Sequence, residues 1–257
     1  FDGYTSYREK KMKEGFYIGH HFGTPTFIKI VNFEEIYLFC SDPGRIIWSY
    51  IFKIILTLFA EKQNMLHIKA SSIEYKGKAF LVLGRGGCGK TEFIKEACNH
   101  GARLMGNTHS LIGCEGVFGI KSNIRMRQNG SEVYLPILVQ NKLKLCNSWQ
   151  PLSAIFWLNY RTDGVNNIKK FLKDELYQNI RWFSEGIANW EMKEDIADYV
   201  HNDPFEFYKF MNNVDTKVRQ LVSNYDGYYI NVDTKSKNGM EKTINLMDKL
   251  IVQYTQK

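Results

Sequence analysis

The chain has 257 residues, 44% hydrophobic and 14% aromatic, which is enough apolar side chain to bury a substantial core and excludes a disordered polymer. Its 34 Lys and Arg against 27 Asp and Glu leave a formal charge of +7, which favours anionic partners: a nucleotide, a nucleic acid or a phosphorylated substrate. The five cysteines, Cys40, Cys88, Cys98, Cys114 and Cys146, are odd in number and include no C-x-x-C pair, which argues against zinc and fits reduced thiols in a cytoplasmic protein.

Phe1 to Phe16 is charged and aromatic and lacks the apolar run of a signal peptide. Phe16–Ile18, Thr26–Val31 and Ile36–Phe39 are short β-branched or aromatic runs separated by Gly23, Pro25 and Asn32, which predicts a small antiparallel sheet. Ser41-Asp42-Pro43-Gly44 supplies a turn and a helix start. The helix expected over Ile46–Ala60 is too short to span a bilayer, and Ser49, Lys53 and Thr57 give it one polar stripe.

His67–Tyr75 alternates as a strand, Lys76-Gly77-Lys78 turns the chain, and Ala79–Leu83 reads as a buried strand. Thr91–His100 has helical periodicity, with Gly101 where a C′ glycine ends a helix. Strands are expected at Arg103–Met105, Ser110–Cys114, Val117–Ile120, Ile124–Arg127 and Ala154–Leu158. Helices are expected over Ile168–Trp182, Ile187–Val200, Pro204–Met211, Val214–Ser223 and Met240–Tyr254, with a strand at Tyr228–Val232. The expected fold class is α/β, with a mixed, largely antiparallel sheet and a helical C-terminal region. Three regions follow: 1–65, a small sheet plus amphipathic helix packed on the core; 66–165, a nucleotide-binding core; and 166–257, mainly helical. With no repeat and no low-complexity linker, one compact domain is the economical reading.

Between the buried strand and the helix lies Gly84-Arg85-Gly86-Gly87-Cys88-Gly89-Lys90-Thr91, which satisfies G-x-x-x-x-G-K-[ST] in full. A chance match in a chain of this length is a matter of about 1%. The glycines let backbone N–H groups converge on phosphate oxygens, in conformations that a Cβ would block. Lys90 would reach the β- and γ-phosphates, the Thr91 hydroxyl would take Mg²⁺, and the helix would add the positive end of its dipole. The expected ligand is ATP with Mg²⁺, GTP being the alternative nucleotide. Cys88 fills a free position of the loop and is read as packing.

This order of parts resembles the HPr kinase/phosphorylase family and its serine-kinase-like relatives, whose phosphate-loop core is shared with phosphoenolpyruvate carboxykinase. The residues that carry the resemblance are His67 opening a strand, the antiparallel hairpin, Gly89-Lys90-Thr91-Glu92, and the helix closing on Gly101. It covers His67 to Arg127. The family's paired aspartates, 17 and 18 residues beyond the loop lysine, fall here on Asn107 and Thr108. The resemblance implies that the first aspartate is the base and that the acidic pair helps hold metal. An amide cannot take a proton, so Asn107 could ligate Mg²⁺ or orient a nucleophile but cannot be the base.

His67 and His109 remain as candidate bases, each titrating near neutral pH in the free side chain. Arg125 and Arg127 share one face of a strand, as a phosphate clamp or a surface strand would. Glu191, Glu194, Asp195 and Asp198 span a helix as a solvated face would, and Asp233 ends a strand. The resemblance implies a kinase that transfers the γ-phosphoryl of ATP to a hydroxyl of a small molecule or peptide, as in natural-product tailoring; the family's oligomers leave a homo-oligomer open. The alternatives are a nucleotide-binding regulatory module without transfer activity and a nucleic-acid-associated NTPase. No motif interleaving aromatics with basic residues supports the last of these.

Overall fold

A computed structural model describes residues 10–12, 15–18, 26–30, 35–41, 43, 47, 51–128, 131–135, 143–160, 167–187, 200, 203–233 and 236–255. The chain divides into two compact units, Phe1–Phe59 and Ala60–Lys257. In the first, β1 (Lys10–Met12), β2 (Gly15–Ile18), β3 (Thr26–Ile30) and β4 (Ile36–Cys40) form an antiparallel sheet in chain order. Along β4, exposed Tyr37 and Phe39 alternate with half-buried Ile36, Leu38 and Cys40, the period of two expected of a sheet with one wet face. Helix α1 (Phe52–Lys62) carries the chain onward. Thr57 is buried there because its hydroxyl donates to the Lys53 carbonyl one turn back, at 2.8 Å.

The second unit opens with β5 (Leu66–Ile68), β6 (Ser71–Tyr75) and β7 (Lys78–Leu83). The single strand expected over His67–Tyr75 is in fact two, in different sheets. Lys69 and Ala70 make the break, the Lys69 N–H donating to Phe183 O and the Ala70 N–H to Ile68 O. Helix α2 (Lys90–Asn99), β8 (Arg103–Gly106), β9 (His109–Gly113), β10 (Gly116–Ile120), β11 (Ile124–Gln128), β12 (Ser131–Leu135) and β13 (Leu152–Tyr160) follow. Then come β14 (Asn167–Lys170), α3 (Lys173–Gly186), α4 (Pro204–Asn224), β15 (Asp226–Val232) and α5 (Lys237–Thr255).

The central sheet has the order β14-β15-β13-β7-β6-β8. β7, β13 and β15 are parallel, and the other pairings are antiparallel, so the sheet is mixed and the fold is α/β. Ala79–Leu83 and Leu152–Phe156 are buried on both faces, which is why those segments read as continuous apolar runs rather than alternating ones. Phe80, Val82, Phe156, Leu158 and Ile230 pack with Phe93, Ile94 and Ala97 of α2 and Met240, Met247 and Leu250 of α5. The rings of Phe80 and Phe156 stack with centroids 5.3 Å apart. Trp157, on the opposite face, meets Phe183 of α3 edge-on. Each fully buried ring contributes roughly 1.5–3 kcal/mol of transfer free energy.

A second sheet, β10-β9-β5, lies against the β6 and β8 edge. The close approach is made by Gly106 and Gly119: a Cβ on Gly119 would lie 2.3 Å from Gly106 N. Gly101 ends α2 as expected, with φ +96° and the Ala102 N–H returning to Ala97 O.

Three expected helices are corrected. Asn167–Lys170 is strand β14, and α3 begins only at Lys173, because the backbone first pairs antiparallel with Tyr228–Asn231. The segments 204–211 and 214–223 are one helix, started by Asp203, whose carboxylate accepts from Phe205 N and Glu206 N. The helix expected over 187–200 falls almost wholly outside the described residues, as does the acidic cluster Glu191, Glu194, Asp195 and Asp198. Among the described residues no helix is long and apolar enough to cross a membrane.

Candidate functional site

The directions of the strands decide where chemistry can gather. β7, β13, β15 and β8 all end at one edge of the central sheet, with Leu83 opposite Trp157 and Tyr160 opposite Val232. In α/β sheets the crevice outside such carboxyl ends is where ligands bind. That edge gathers the glycine loop after β7, Asn107 after β8, Asn159 in β13 and Asn231 in β15.

The loop follows a buried strand and opens α2. Gly84 has φ +148°, and a Cβ there would meet Cys88 Sγ at 2.5 Å and the Leu158 carbonyl oxygen at 2.7 Å. Only glycine lets the loop lie against the end of β13. Gly89 is the N-cap of α2 in the left-handed conformation, φ 86° and ψ 14°, and no side chain caps the helix. First-turn N–H groups have no partner within the helix itself, which makes a helix start suited to binding an anion. Gly87 also has positive φ, whereas Gly86 has open space around it and does not. The Lys90 ammonium folds over the loop, donating to Gly84 O at 2.6 Å and Arg85 O at 2.9 Å, with Cys88 Sγ at 3.5 Å. Thr91 is the second residue of the helix, half-buried, and exposed Glu92 pairs with Lys95 at 3.7 Å. This cradle fits a phosphate group: left-handed glycines, an uncapped helix start and an ammonium held across the mouth.

Asn107 is committed elsewhere. Its Oδ1 accepts from Ser122 N at 2.8 Å and from Ser122 Oγ at 3.2 Å, and its Nδ2 donates to Ser122 Oγ at 2.9 Å and Asn123 O at 3.2 Å. Its backbone carbonyl accepts from Ser71 Oγ at 2.6 Å. The Ser122 N–H thus occupies one acceptor position of the amide oxygen, while the single Ser122 hydroxyl proton has Asn107 Oδ1 and Asn123 O both within reach. Thr108 Oγ1 lies 3.3 Å from the same Ser122 hydroxyl. Lys121, next in chain, donates to Cys146 O at 2.7 Å, and burial lowers its pKa from the ordinary lysine value.

His67 of β5 and His109 of β9 are brought together, Nε2 of the first lying 3.0 Å from Nδ1 of the second, and both are buried. Asp233 follows β15 and its carbonyl accepts from Ser236, so the residue begins the turn into α5. Arg125 and Arg127 lie in β11, paired antiparallel with β12, and their side chains are outside the described residues. Among the described residues no three His, Cys, Asp or Glu side chains form a metal-binding group.

Sequence reasoning did not single out Asn159 and Asn231. Asn159 Nδ2 donates to Asn231 Oδ1 at 3.1 Å across the parallel pair β13 and β15. The only trace in the sequence is a polar residue near the end of each apolar run, Ala154–Leu158 and Tyr228–Val232. No family model and no curated protein matches the chain.

Proposed function

We propose that the chain is an ATP-dependent phosphotransferase of the HPr kinase-like kind, moving the γ-phosphoryl group to a hydroxyl of a small molecule or a peptide. The observation that carries the reading is the glycine cradle: a loop with left-handed glycines leads from the end of a buried strand into an uncapped helix, and the Lys90 ammonium lies on its carbonyls.

In this reading the loop N–H groups and the start of α2 bind the phosphate oxygens, and Lys90 moves from Gly84 O and Arg85 O onto the β- and γ-phosphates. Bound Mg²⁺ would supply charge neutralisation at the phosphates. Thr91 would offer it a hydroxyl, whereas the Asn107 amide oxygen already accepts from Ser122 N. The His67–His109 pair would take the proton of the attacking hydroxyl, and a loose transition state makes modest demands on that base. GTP is the alternative donor, the cytoplasm the compartment, and a homo-oligomer is compatible with the family resemblance.

The test is to incubate the protein with γ-labelled ATP, magnesium and fractionated extract from the source organism. The reading expects label to move to a small molecule or a peptide, and expects Lys90→Ala to abolish the transfer. ATP bound with no label moved would support a second reading, a nucleotide-binding regulator without transfer chemistry. The commitment of Asn107 to Ser122 favours that second reading.

A further inference from the structure

The four carboxyl oxygens of Glu185 and Asp215, where α3 meets α4, have three donors between them. Glu185 Oε2 accepts from Arg181 Nε at 2.7 Å, Asp215 Oδ1 from the Tyr177 hydroxyl, and Asp215 Oδ2 from Arg219 Nε at 2.8 Å. The fourth oxygen, Glu185 Oε1, is buried without a hydrogen-bond partner, in a residue only 8% exposed. An ionised carboxylate in that position carries charge on an atom that neither a donor nor solvent reaches. A neutral carboxyl removes that cost, because the missing hydrogen is then its own.

The charged groups around the pair pull in both directions. On α3, Arg181 favours ionised Glu185, but its Nε also lies 3.9 Å from Asp215 Oδ1, so one cation serves two carboxyls. On α4, Arg219 is committed to Asp215 and to the Tyr177 hydroxyl, the latter at 2.8 Å. Burial first, and then the nearness of Asp215, outweigh Arg181 and raise the pKa of Glu185. Burial opposes ionisation of Asp215 too, but Tyr177 and Arg219 hold it ionised, so the proton of the pair sits on Glu185.

The same two helices hold β5 by its ends. Phe183 O of α3 accepts from the Lys69 N–H just beyond β5, at 3.0 Å, and Lys217 of α4, with Glu61 as its nearby acid, donates to Met65 O just before it, at 3.1 Å. β5 itself contributes His67, whose Nε2 faces His109. Ser184, between Phe183 and Glu185, also buries an Oγ with no partner. Two of the three such side-chain atoms among the described residues thus fall in the last turn of α3, where opening costs least.

We infer that Glu185 is a proton-operated latch: protonated, it fastens α3 to Asp215 of α4, and its ionisation loosens the last turn of α3 together with the Phe183–Lys69 bond that anchors β5. The sign follows from linkage. The folded state binds this proton more tightly than the unfolded chain does, so the latch is closed in acid and opens as pH rises through the titration of Glu185. The proton passes to solvent, and no covalent bond other than its O–H breaks. The strand released is the one that carries His67. The latch involves no nucleotide, so it is tested apart from the phosphotransfer reading.

The experiment uses the full chain without ligand. The Glu185 carboxyl, followed by ¹³C NMR, is expected to titrate above about pH 4.3, the ordinary glutamate value. Native-state hydrogen exchange, corrected for the intrinsic effect of pH on exchange, is expected to show protection of the Lys69 N–H falling at least about tenfold across that titration. The Ala102 N–H, bonded to Ala97 O at the end of α2, is the internal control and is expected to keep its protection. Glu185→Gln, neutral at every pH and still able to donate and accept, is expected to hold Lys69 protection constant. Asp215→Asn is expected to lower the Glu185 midpoint, because a carboxylate neighbour is removed. A Glu185 midpoint at or below about pH 4.3 overturns the inference. So does Lys69 protection that is flat with pH in the wild-type protein, that falls alike in Glu185→Gln, or that falls in step with Ala102.

Discussion

His67 and His109 share one hydrogen bond, Nε2 to Nδ1 at 3.0 Å, between adjacent antiparallel strands and out of solvent. Two imidazoles so joined act as a unit: one ring supplies the N–H and the other the lone pair, and two added protons would set like charges side by side. His67→Ala and His109→Ala are therefore expected to slow phosphoryl transfer by similar factors, on the order of 10²-fold, with the double variant little worse than either. Asn107→Asp is expected to leave transfer measurable. Rates are read with labelled ATP, and wild-type rates in both histidine variants would move proton removal to another group, such as Asp233 or the acceptor's own phosphate.

Gly84→Ala is expected to disable the cradle, because the new methyl would meet Cys88 Sγ at 2.5 Å and the Leu158 carbonyl at 2.7 Å on a backbone already at φ +148°. Gly86→Ala, with nothing within 4 Å, is expected to be nearly neutral. Thermal melts and ATP affinity compared between the two variants check the contrast. Equal behaviour would mean that the loop is not held against β13.

The α3–α4 contact predicts a pH dependence of stability that can be tested without any ligand. Burial raises the pKa of Glu185, whose Oε1 has no hydrogen-bond partner, even though Arg181 donates to Oε2 at 2.7 Å. Burial also opposes ionisation of Asp215, but hydrogen bonds from Tyr177 and Arg219 outweigh it and hold that carboxyl below its ordinary value. For Glu185 the folded state binds the proton more tightly, so its contribution is full below about pH 4.3, the unfolded glutamate value, and is lost as pH rises through the folded pKa. For Asp215 the sign is opposite: its contribution is present above about pH 3.9 and is lost as pH falls through the folded value. Glu185→Gln is thus expected to gain stability relative to wild type as pH rises from 4 to 8. Asp215→Asn is expected to lose most at neutral pH and least in acid. Urea unfolding across that range reads both, and parallel curves for wild type and Glu185→Gln would contradict the account.

Much of the candidate site was legible because its signals are local. The Lys76-Gly77 turn, the glycine string, the start of α2 and Gly101 each depend on residues a few positions apart. What was not legible depends on pairing across the chain. Nothing in His67–Tyr75 marks the switch between sheets at Lys69-Ala70, since both halves alternate alike. Asn167–Lys170 carries apolar Ile168 in phase with the helix that follows, and only its pairing with β15 makes it a strand. The break inferred at Asn212-Asn213 was a matter of propensity, overridden by packing of Phe210, Val214 and Val218 on one buried face. The Asn159–Asn231 contact joins residues 72 positions apart and exists only because β13 and β15 run parallel.

The central claim is that the loop from Gly84 to Thr91 binds a nucleoside triphosphate, and calorimetry of ATP with and without magnesium tests it most directly. The account predicts that the wild-type protein binds ATP more tightly with magnesium, and that Lys90→Ala loses at least about tenfold in affinity as the cradle's main cation is removed. It also predicts that Thr91→Val keeps metal-free binding but loses the magnesium-dependent gain. Absence of binding in the wild-type protein, or an affinity in Lys90→Ala within threefold of wild type, would contradict it.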